Sequence, residues 1–311
     1  MNIYRSIDEI PYQKESHLTI GTFDGIHLGH RKIIEDLVSR AGQKNARSVL
    51  VTFYPHPQTV VRARKSPIQL LTPIDEKIAL LQTFGLDAVL VIPFTQELSR
   101  IEPKTFVEEI LVRSIGVREF IIGYNHRFGR GRRGGKDLLE ELGPLFDFSV
   151  DVVKPVEIEG EGVSSTRIRH LFLEGKIRRG NCFLGRRYSL EGIVRRGSHL
   201  GEKIGFPTAN LEVIGENKLI PGDGVYAVMV YLDGERLLGM ANIGYKPTLD
   251  GTHRCIEVHI HDFSGHLYGK TLQVEFVDRI RDERRFGSVE ALISQIEHDR
   301  RRSVELLSNN V

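Results

Sequence analysis

The hydrophobic pattern changes near residue 180, and this change restricts the fold more than any other feature. Before it, continuous apolar segments such as SVLVTFYP (48–55) alternate with segments of helical periodicity such as RKIIEDLVSRA (31–41). This alternation predicts a parallel β-sheet that helices cover on both faces. Ligands of such sheets bind beyond the carboxyl ends of the strands. We therefore expect the chemistry of this half within residues 21–30, 54–57 and 123–135.

After residue 180, predicted strands follow one another without helices between them. These strands cover residues 188–196, 225–232, 236–244, 254–262 and 271–279. Asp233-Gly234 supplies the two positive-φ positions of a tight hairpin turn, and an amphipathic helix over 288–307 follows the last strand. The pattern predicts a small antiparallel β-barrel with a closing helix. We place the domain boundary between 1–180 and 181–311.

Composition excludes several classes of protein. The chain of 311 residues is long enough for two domains, and its 43 Lys+Arg against 41 Asp+Glu argue against a nucleic-acid-binding protein. Cys182 and Cys255 form no CxxC pair, which argues against a disulfide framework and a thiolate zinc site. No apolar segment approaches the ~18 residues of a membrane span, and the N-terminal segment lacks the apolar region of a secretory signal. We expect a cytoplasmic protein with no membrane partner, either a monomer or a weak homo-oligomer.

The segment TFDGIHLGH (22–30) follows the first predicted strand and allows three interpretations. Its Asp, Gly and His residues are common in ordinary turns and helix caps. A metal site would need a third ligand beside His27 and His30, for which Asp24 is the candidate. A phosphate site is the third interpretation, because a helix N-terminus beyond a strand binds anions and glycines let the backbone approach a ligand.

A second segment, GVSSTRIRHLFLEG (162–175), also resembles the start of a helix. Its hydroxyl side chains suit helix capping, and its two arginines add positive charge. An ordinary capped surface helix would have the same composition. Two anion-ready helix starts in one parallel-sheet domain favour a site for a polyphosphate.

Four motifs in this order resemble the FAD synthetase module of prokaryotic bifunctional riboflavin kinase/FMN adenylyltransferases. They are HLGH (27–30), TFYPHP (52–57), GYNHRFGRGRRGG (123–135) and SSTRIR (164–169). The second half carries GFPTAN (205–210), which resembles the riboflavin kinase motif of the same family. The resemblance covers essentially the whole chain. It implies a Rossmann-like nucleotidyltransferase domain followed by a riboflavin kinase barrel.

The resemblance implies roles for residues of the first domain. His27 and His30 are expected to bind ATP phosphates and to stabilise the charge that develops as pyrophosphate leaves. The expected nucleotide-binding residues of this domain are Gly21, Phe23, Asp24, Gly29, Asn125, Ser164, Thr166 and Arg169. The reaction would transfer AMP from ATP to FMN and would release FAD and pyrophosphate.

The resemblance likewise implies roles in the second domain. Thr208 and Asn210 are expected to hold Mg²⁺, or another divalent cation, together with the phosphates of the co-substrate ATP. Glu257 is expected to be the general base that takes the proton of the riboflavin 5′-hydroxyl, so that FMN and ADP form. Other expected contacts are the nucleotide-binding residues Gly192, Gly201 and Gly205 and the flavin-binding residues Arg281 and Phe286. His259 and His261 share the strand face of Glu257, and the pattern favours a solvated polar face for them.

Other functions compete with this interpretation. Gly129, Gly131 and Gly134 match the dinucleotide fingerprint GxGxxG, but they do not directly join a strand to a helix, so a loop that faces a polyphosphate fits better. The same loop lacks the acidic residue with which family members often end it. A nucleotidyltransferase for another substrate would share the HLGH loop but would leave GFPTAN unexplained. A flavin- or nucleotide-binding regulator without turnover would not need to retain His27, His30, Thr208, Asn210 and Glu257 together.

Overall fold

The computed structural model describes residues 1–61, 67–197, 200–248 and 251–308. These residues fold into two compact units, Met1–Ser165 and Thr166–Val311. The first is an α/β unit and the second is built around an antiparallel barrel, so the fold predicted from the hydrophobic pattern is confirmed. The boundary between residues 180 and 181 stays a prediction.

The first unit is built on a parallel sheet. Its strands are Asn2–Tyr4 (β1), Ser16–Ile20 (β2), Arg47–Tyr54 (β3), Ala88–Pro93 (β4), Val117–Gly123 (β5) and Ser149–Val153 (β6). All pairs of neighbouring strands are parallel, in the order β1-β4-β3-β2-β5-β6. After the sheet, two strands of two residues each, Glu157–Ile158 (β7) and Glu161–Gly162 (β8), form a hairpin.

The connections of this unit are helical. They comprise Leu28–Gln43 (α1), Pro57–Val61 (α2), Ile74–Leu81 (α3), Gln96–Arg100 (α4), Pro103–Thr105 (α5), a π-helical continuation Phe106–Ile115, and Lys136–Phe146 (α6). Short 3₁₀ segments lie at Ile7–Glu9, Gln82–Phe84 and Arg130–Arg132. Gly85 and Gly116 end two of the predicted helices with φ of 77° and 85°, a conformation that glycine adopts at little cost.

The strand order reverses between β2 and β5. From β2 the chain proceeds to β3 and β4 on one side, whereas β5 and β6 lie on the other side. The two neighbouring strands therefore send their following loops in opposite directions, which opens a crevice at their carboxyl ends. The loop Gly21–His27 follows β2, and Tyr124–Gly135 follows β5. The sheet thus brings together two of the three segments in which chemistry is expected.

The second unit contains a closed barrel. Its strands are Tyr188–Arg195 (β9), Ala209–Val213 (β10), Gly224–Leu232 (β11), Glu235–Thr248 (β12), Gly251–Ile260 (β13) and Thr271–Arg281 (β14). Around the barrel their order is β10-β13-β12-β11-β14-β9, and all pairs are antiparallel. Alternate residues such as Ile256 and Val258 fill the interior, which leaves the intervening residues on the outer face. The predicted turn Asp233-Gly234 has φ of 51° and 86°.

Helices flank the barrel. They are Ser165–Leu173 (α7), Ile177–Leu184 (α8), Leu200–Lys203 (α9) and Val289–Ser308 (α10). The closing helix α10 packs on the outer face, where Leu306 and Leu307 join a buried cluster with Ala227 and Met229. Helix α8 forms in a segment that has no long apolar pattern. Burial of Ile177, Phe183 and Leu184 along one side is enough to stabilise it.

Candidate active sites

The loop after β2 has a backbone conformation that non-glycine residues rarely adopt. Phe23 and Ile26 have φ of 46° and 39°, in the left-handed region that is costly for bulky and β-branched side chains. Both side chains are 2% exposed and belong to a core cluster, so burial offsets the strain. Strain that surrounding packing maintains is a property of functional loops.

Buried hydrogen bonds to residues 71–77 hold the same loop in place. The Asp24 carboxylate is 1% exposed and accepts hydrogen bonds from the backbone N–H groups of Leu71 and Thr72, at 3.2 and 3.0 Å. The Thr72 hydroxyl oxygen accepts the N–H of Gly25 at 2.8 Å. Lys77 donates to the Thr22 carbonyl at 2.7 Å, and its burial lowers its pKa to about 8 against the opposing effect of Asp24. Asp24 therefore anchors the loop, and its contact with a nucleotide stays a prediction.

His27 and His30 form a stacked pair at the N-terminus of α1. His27 is the N-cap, and its Nδ1 accepts the backbone N–H of His30 at 3.3 Å. The centres of the two imidazole rings lie 3.6 Å apart, and the angle between the ring planes is 16°. A Cβ atom at Gly29 would lie 3.3 Å from the His27 ring, so glycine leaves room for this arrangement. The HLGH motif thus places two ring donors beside the N–H groups of a helix start, an anion-binding arrangement.

The loop after β5 places Asn125 at the strand-switch position. Asn125 is exposed in a turn that the hydrogen bond from His126 N to Gly123 O closes at 3.0 Å. Within the described part of the chain, the buried Nε2 of His126 has no hydrogen-bond partner. Burial, with smaller effects of Arg132 and Arg127, lowers the pKa of His126 to about 4. Sequence reasoning did not identify His126 as a site residue, although it lies inside the motif.

The glycine-rich stretch 129–134 forms a closed hairpin. Phe128 and Gly134 exchange two backbone hydrogen bonds, at 3.0 and 2.9 Å, and Phe128 packs in the core against Phe106. A Cβ atom at Gly135 would lie 2.5 Å from Arg127 Nη1, so the absence of a side chain at Gly135 leaves room for the guanidinium. The geometry differs from a strand–helix dinucleotide loop.

The SSTRIR segment begins helix α7. Ser165 ends the first unit, and its hydroxyl donates to the Asp24 carbonyl at 2.8 Å, a contact that sequence reasoning did not identify. Ser164 precedes the helix, whereas Thr166 and Arg169 belong to the second unit. The nucleotide contacts of Ser164, Thr166 and Arg169 stay predictions.

On the barrel, the predicted base and the predicted metal ligands lie side by side. Asn210 on β10 is the direct cross-strand partner of Glu257 on β13, so their side chains share one face. The hydroxyl of Thr208, which precedes β10, lies 3.4 Å from a Glu257 carboxylate oxygen. The inward neighbours Ala209 and Val258 are buried, which places Asn210 and Glu257 on the outer face.

Glycines give the turn before β10 its shape. A side chain at Gly197 would collide with the Asn210 amide, and one at Gly201 would collide with the Phe206 carbonyl oxygen. Gly205 has a φ of 85°. A cleft of about 40 Å³ remains, lined by Gly197, Glu202, Pro207, Thr208, Asn210 and Tyr268. Gly192 differs from these glycines, because it lies within β9 and a Cβ there would crowd Leu211 Cγ at 2.6 Å; its nucleotide contact stays a prediction.

The expectation that His259 and His261 lie on a solvated face is wrong. They are 8% and 7% exposed, because the segment before β10 and helix α10 cover this part of the barrel. His259 Nδ1–H donates to the Pro207 carbonyl at 2.8 Å and so holds the residue that precedes Thr208. His261 Nε2 lies 2.5 Å from the hydroxyl oxygen of Ser303 on α10.

The buried His261 predicts a pH-dependent stability. Burial, the neighbouring His259 and Arg300 lower its pKa to about 4 in the folded protein, against the opposing effect of Asp262. The unfolded chain therefore binds a proton below pH 6.5 that the folded chain does not bind, and the stabilisation present above pH 6.5 is lost as the pH falls towards 4. We expect a decrease on the order of 2 kcal/mol in the unfolding free energy of the barrel, after allowance for solvent screening. Urea denaturation of the full chain, followed by circular dichroism between pH 7.5 and 4, measures the total pH dependence, to which the buried His126 also contributes, and a variant at His261 isolates the part of that residue.

The variant His261→Gln keeps a hydrogen-bonding group near Ser303 and removes the titration. Its unfolding free energy should change less with pH over this range than that of the parent chain. His266→Gln, at an exposed position, is the matched control and should keep the parent profile. Equal slopes for His261→Gln and the parent would contradict the assignment.

Arg281 and Phe286 lie at the end of β14 beside α10. The Arg281 guanidinium binds the 1% exposed Asp299 carboxylate through Nε, at 2.9 and 3.1 Å, and through Nη2 at 2.8 Å. Gln295 donates to the same carboxylate at 2.7 Å. The guanidinium carbon lies 5.6 Å from the centre of the Phe286 ring. Asp299 was not predicted, because a single acidic residue in an amphipathic helix gives no signal of a buried partner.

Two protein families match the chain. The FAD synthetase family matches residues 9–167, and the riboflavin kinase family matches residues 184–307. These matches place the chain in the class of transferases that synthesise flavin nucleotides. The histidine loop lies in the first matched region, and Thr208, Asn210 and Glu257 lie in the second.

Curated relatives extend the similarity over almost the whole chain. The bifunctional riboflavin kinase/FMN adenylyltransferase of Listeria monocytogenes is 36% identical over 91% of this chain and 89% of its own length. The enzymes of the same name from Bacillus subtilis and Escherichia coli K12 are 33% and 34% identical, each over 96% of this chain and over 94% and 96% of their own lengths. The chain belongs to the bifunctional riboflavin kinase/FMN adenylyltransferase family, and the resemblance first seen in the motifs is confirmed.

A solved structure shares the fold. A Streptococcus pneumoniae protein described as a macrolide-efflux protein superposes with a TM-score of 0.88 at 29% identity, over 97% of both chains. Across the described ranges, the helices are all too short or too polar to cross a membrane.

Proposed function

We propose that the chain makes FMN and then FAD, with the barrel as the kinase and the α/β unit as the adenylyltransferase. In the first reaction, the 5′-hydroxyl oxygen of riboflavin attacks the γ-phosphorus of ATP, and ADP leaves. In the second, a phosphate oxygen of FMN attacks the α-phosphorus of another ATP, and pyrophosphate leaves. The pairing of Asn210 with Glu257, together with Thr208 at 3.4 Å, is the observation that carries the kinase assignment.

In the kinase reaction Glu257 acts as general base. Its carboxylate takes the proton of the 5′-hydroxyl as the oxygen–phosphorus bond forms, which leaves Glu257 protonated until the product departs. The glycine-shaped turn before β10 holds the phosphates of ATP against Thr208. The partly buried Arg281 and Phe286 bind the flavin ring. Each of these groups lies on or beside the outer face of the barrel.

A divalent cation fits the residues that would hold it. The Thr208 hydroxyl, the Asn210 amide oxygen and the ATP phosphates are hard oxygen donors, and Mg²⁺ is commonly bound by few protein ligands together with phosphates and water. The Glu257 carboxylate adds negative charge at 3.4 Å from Thr208, which favours a cation nearby. When bound, the ion would neutralise charge on the transferring phosphoryl group. Thr208 and Asn210 would orient it.

In the adenylyltransferase reaction no protein nucleophile is required. Charge develops on the phosphate oxygens that become pyrophosphate, and preorganised donors stabilise such charge. The stacked His27 and His30 rings and the N–H groups at the start of α1 are these donors. Asn125, at the end of β5, binds the nucleotide across the strand-switch crevice. Asp24 holds the loop in place through its hydrogen bonds with Leu71 and Thr72.

A coupled product assay tests both activities. Purified full-length protein with riboflavin, ATP and Mg²⁺ should first accumulate FMN and then FAD, resolved by chromatography, and it should convert supplied FMN to FAD. FMN as the sole product would show a kinase with an inactive α/β unit. A protein that binds flavin or ATP but forms no product would be a regulator, and the proposal would be rejected.

A further inference from the structure

We propose that Asn242 binds the ribityl chain of riboflavin and so helps to select this substrate for the kinase. The inference rests on the proposed function, because it uses Glu257 as the base and Arg281 with Phe286 as the flavin platform. Asn242 was not among the residues expected from the sequence.

Asn242 lies beside the base on the outer face of the barrel. In the pairing of β12 with β13, Asn242 is directly opposite Glu257. Directly opposite residues of antiparallel strands have Cβ atoms about 5 Å apart and side chains on the same face. The neighbours of Asn242 along β12, Ala241 and Ile243, are fully buried in the barrel, whereas Asn242 is partly exposed. Its amide is therefore on the outer face with the Glu257 carboxylate.

The same row of the barrel continues to the flavin platform. Asn242 is paired with Val225 on β11, and Val225 is paired with Arg281 on β14. The row from the base to the platform is thus Glu257, Asn242, Val225 and Arg281. At about 4.8 Å between strands, it spans roughly 14 Å along the wall.

Riboflavin has the same order of groups. Its 5′-hydroxyl must reach Glu257, its ring lies at the other end, and the hydroxyl-bearing ribityl chain joins the two. A substrate extended along the row therefore places its ribityl hydroxyls next to Asn242. A primary amide has two donor hydrogens and an acceptor oxygen, so it can pair with hydroxyl groups in either direction. Val225 has no polar atom on its side chain and is only 5% exposed, which makes Asn242 the accessible polar side chain between the two ends of this row.

A contact of this kind predicts a specific change in kinetics. For Asn242→Ala in the full-length protein, we expect the KM for riboflavin to rise roughly 10- to 50-fold, the effect of losing one or two hydrogen bonds to the substrate. The KM for ATP and the rate of adenylylation of supplied FMN should stay within about twofold of the parent values. The second activity reports on folding and on the enzyme concentration in the same sample.

Lumiflavin, which has the flavin ring but no ribityl chain, separates a ribityl contact from a ring contact. As a competitive inhibitor against riboflavin, it should have the same inhibition constant with Asn242→Ala as with the parent chain. The matched control is Gln273→Ala, an amide-to-alanine change at an exposed outer-face position near the start of β14, which should leave all these constants unchanged. Weaker inhibition by lumiflavin in Asn242→Ala would overturn the assignment to the ribityl chain.

The outcomes distinguish this inference from the proposed function. If Asn242→Ala keeps the parent KM for riboflavin, the ribityl contact is wrong, whatever the role of Glu257. If Glu257→Gln instead keeps the parent kcat for the kinase, the base assignment of the proposed function fails. A raised KM for riboflavin with an unchanged lumiflavin constant supports Asn242 in both cases.

Discussion

Replacement of His30 by alanine should abolish FAD formation while FMN continues to accumulate. His30 is the last residue of the HLGH motif, at the start of α1. Its ring stacks on that of His27, with 3.6 Å between the ring centres. Loss of one donor aimed at charge in the transition state typically lowers kcat about 10²- to 10³-fold. Chromatography of the reaction with riboflavin and ATP measures both products. His266→Ala, at an exposed position of the second unit, is the control and should form both.

A comparison of two substitutions at His27 separates its structural and chemical contributions. His27 caps α1 through Nδ1, so His27→Ala removes both the cap and the ring, whereas Asn is itself a favoured N-cap residue. If His27 acts in catalysis, His27→Asn should lose FAD formation about as strongly as His27→Ala while it keeps the parent thermal stability. Full FAD synthesis by His27→Asn would limit His27 to capping. Loss of FMN formation in His30→Ala, with the fold intact, would contradict two separate sites.

Replacement of Glu257 by glutamine should have the opposite effect. The amide keeps the size of the carboxylate next to Thr208 and Asn210 but cannot take the proton of the 5′-hydroxyl. General base catalysis contributes about 10²- to 10⁴-fold, so we expect a loss of kcat for riboflavin phosphorylation of this size. Supplied FMN should be converted to FAD at the parent rate. Initial rates with each substrate separately measure the two effects.

Glu191→Gln provides the matched control for this substitution. Glu191 is exposed on β9, and it is paired with Gln273 at the end of β14 opposite to Arg281. This variant should phosphorylate riboflavin at the parent rate. A kinase rate in Glu257→Gln equal to that of Glu191→Gln would exclude Glu257 as the base and would leave proton transfer to another group.

The hydrophobic periodicity was sufficient to predict the elements that bury the most apolar surface. Strands β3 and β4 are nearly fully buried along their lengths, and their continuous apolar runs are visible in the sequence. Strand β10 has five residues with mixed burial, so its pattern is too short to be recognised. Strand β6 is an edge strand and is mostly only partly buried, which removes the strong apolar signal.

The motifs predicted which segments meet but not how their side chains pack. The contact of Asp24 with Thr72 joins residues 48 positions apart, and no periodicity connects them. The expected solvated face of His259 and His261 was wrong because strand alternation defines two faces but does not show which elements cover each of them. Asn242 becomes visible only when the register of β12 and β13 is known.

The pairing of the first and last barrel strands has a consequence for how the chain folds during synthesis. Strand β9 closes the barrel by pairing with β14. The barrel therefore cannot close until Phe276, the partner of Tyr188, has been synthesised. The parallel sheet needs no residue beyond Val153. Because domains generally fold as units and N-terminal ones first, the α/β unit can reach its native structure on the ribosome while the barrel strands are still emerging. In each newly made molecule, the unit proposed for adenylyl transfer would therefore fold before the unit proposed for riboflavin phosphorylation, the reverse of the order of the two reactions.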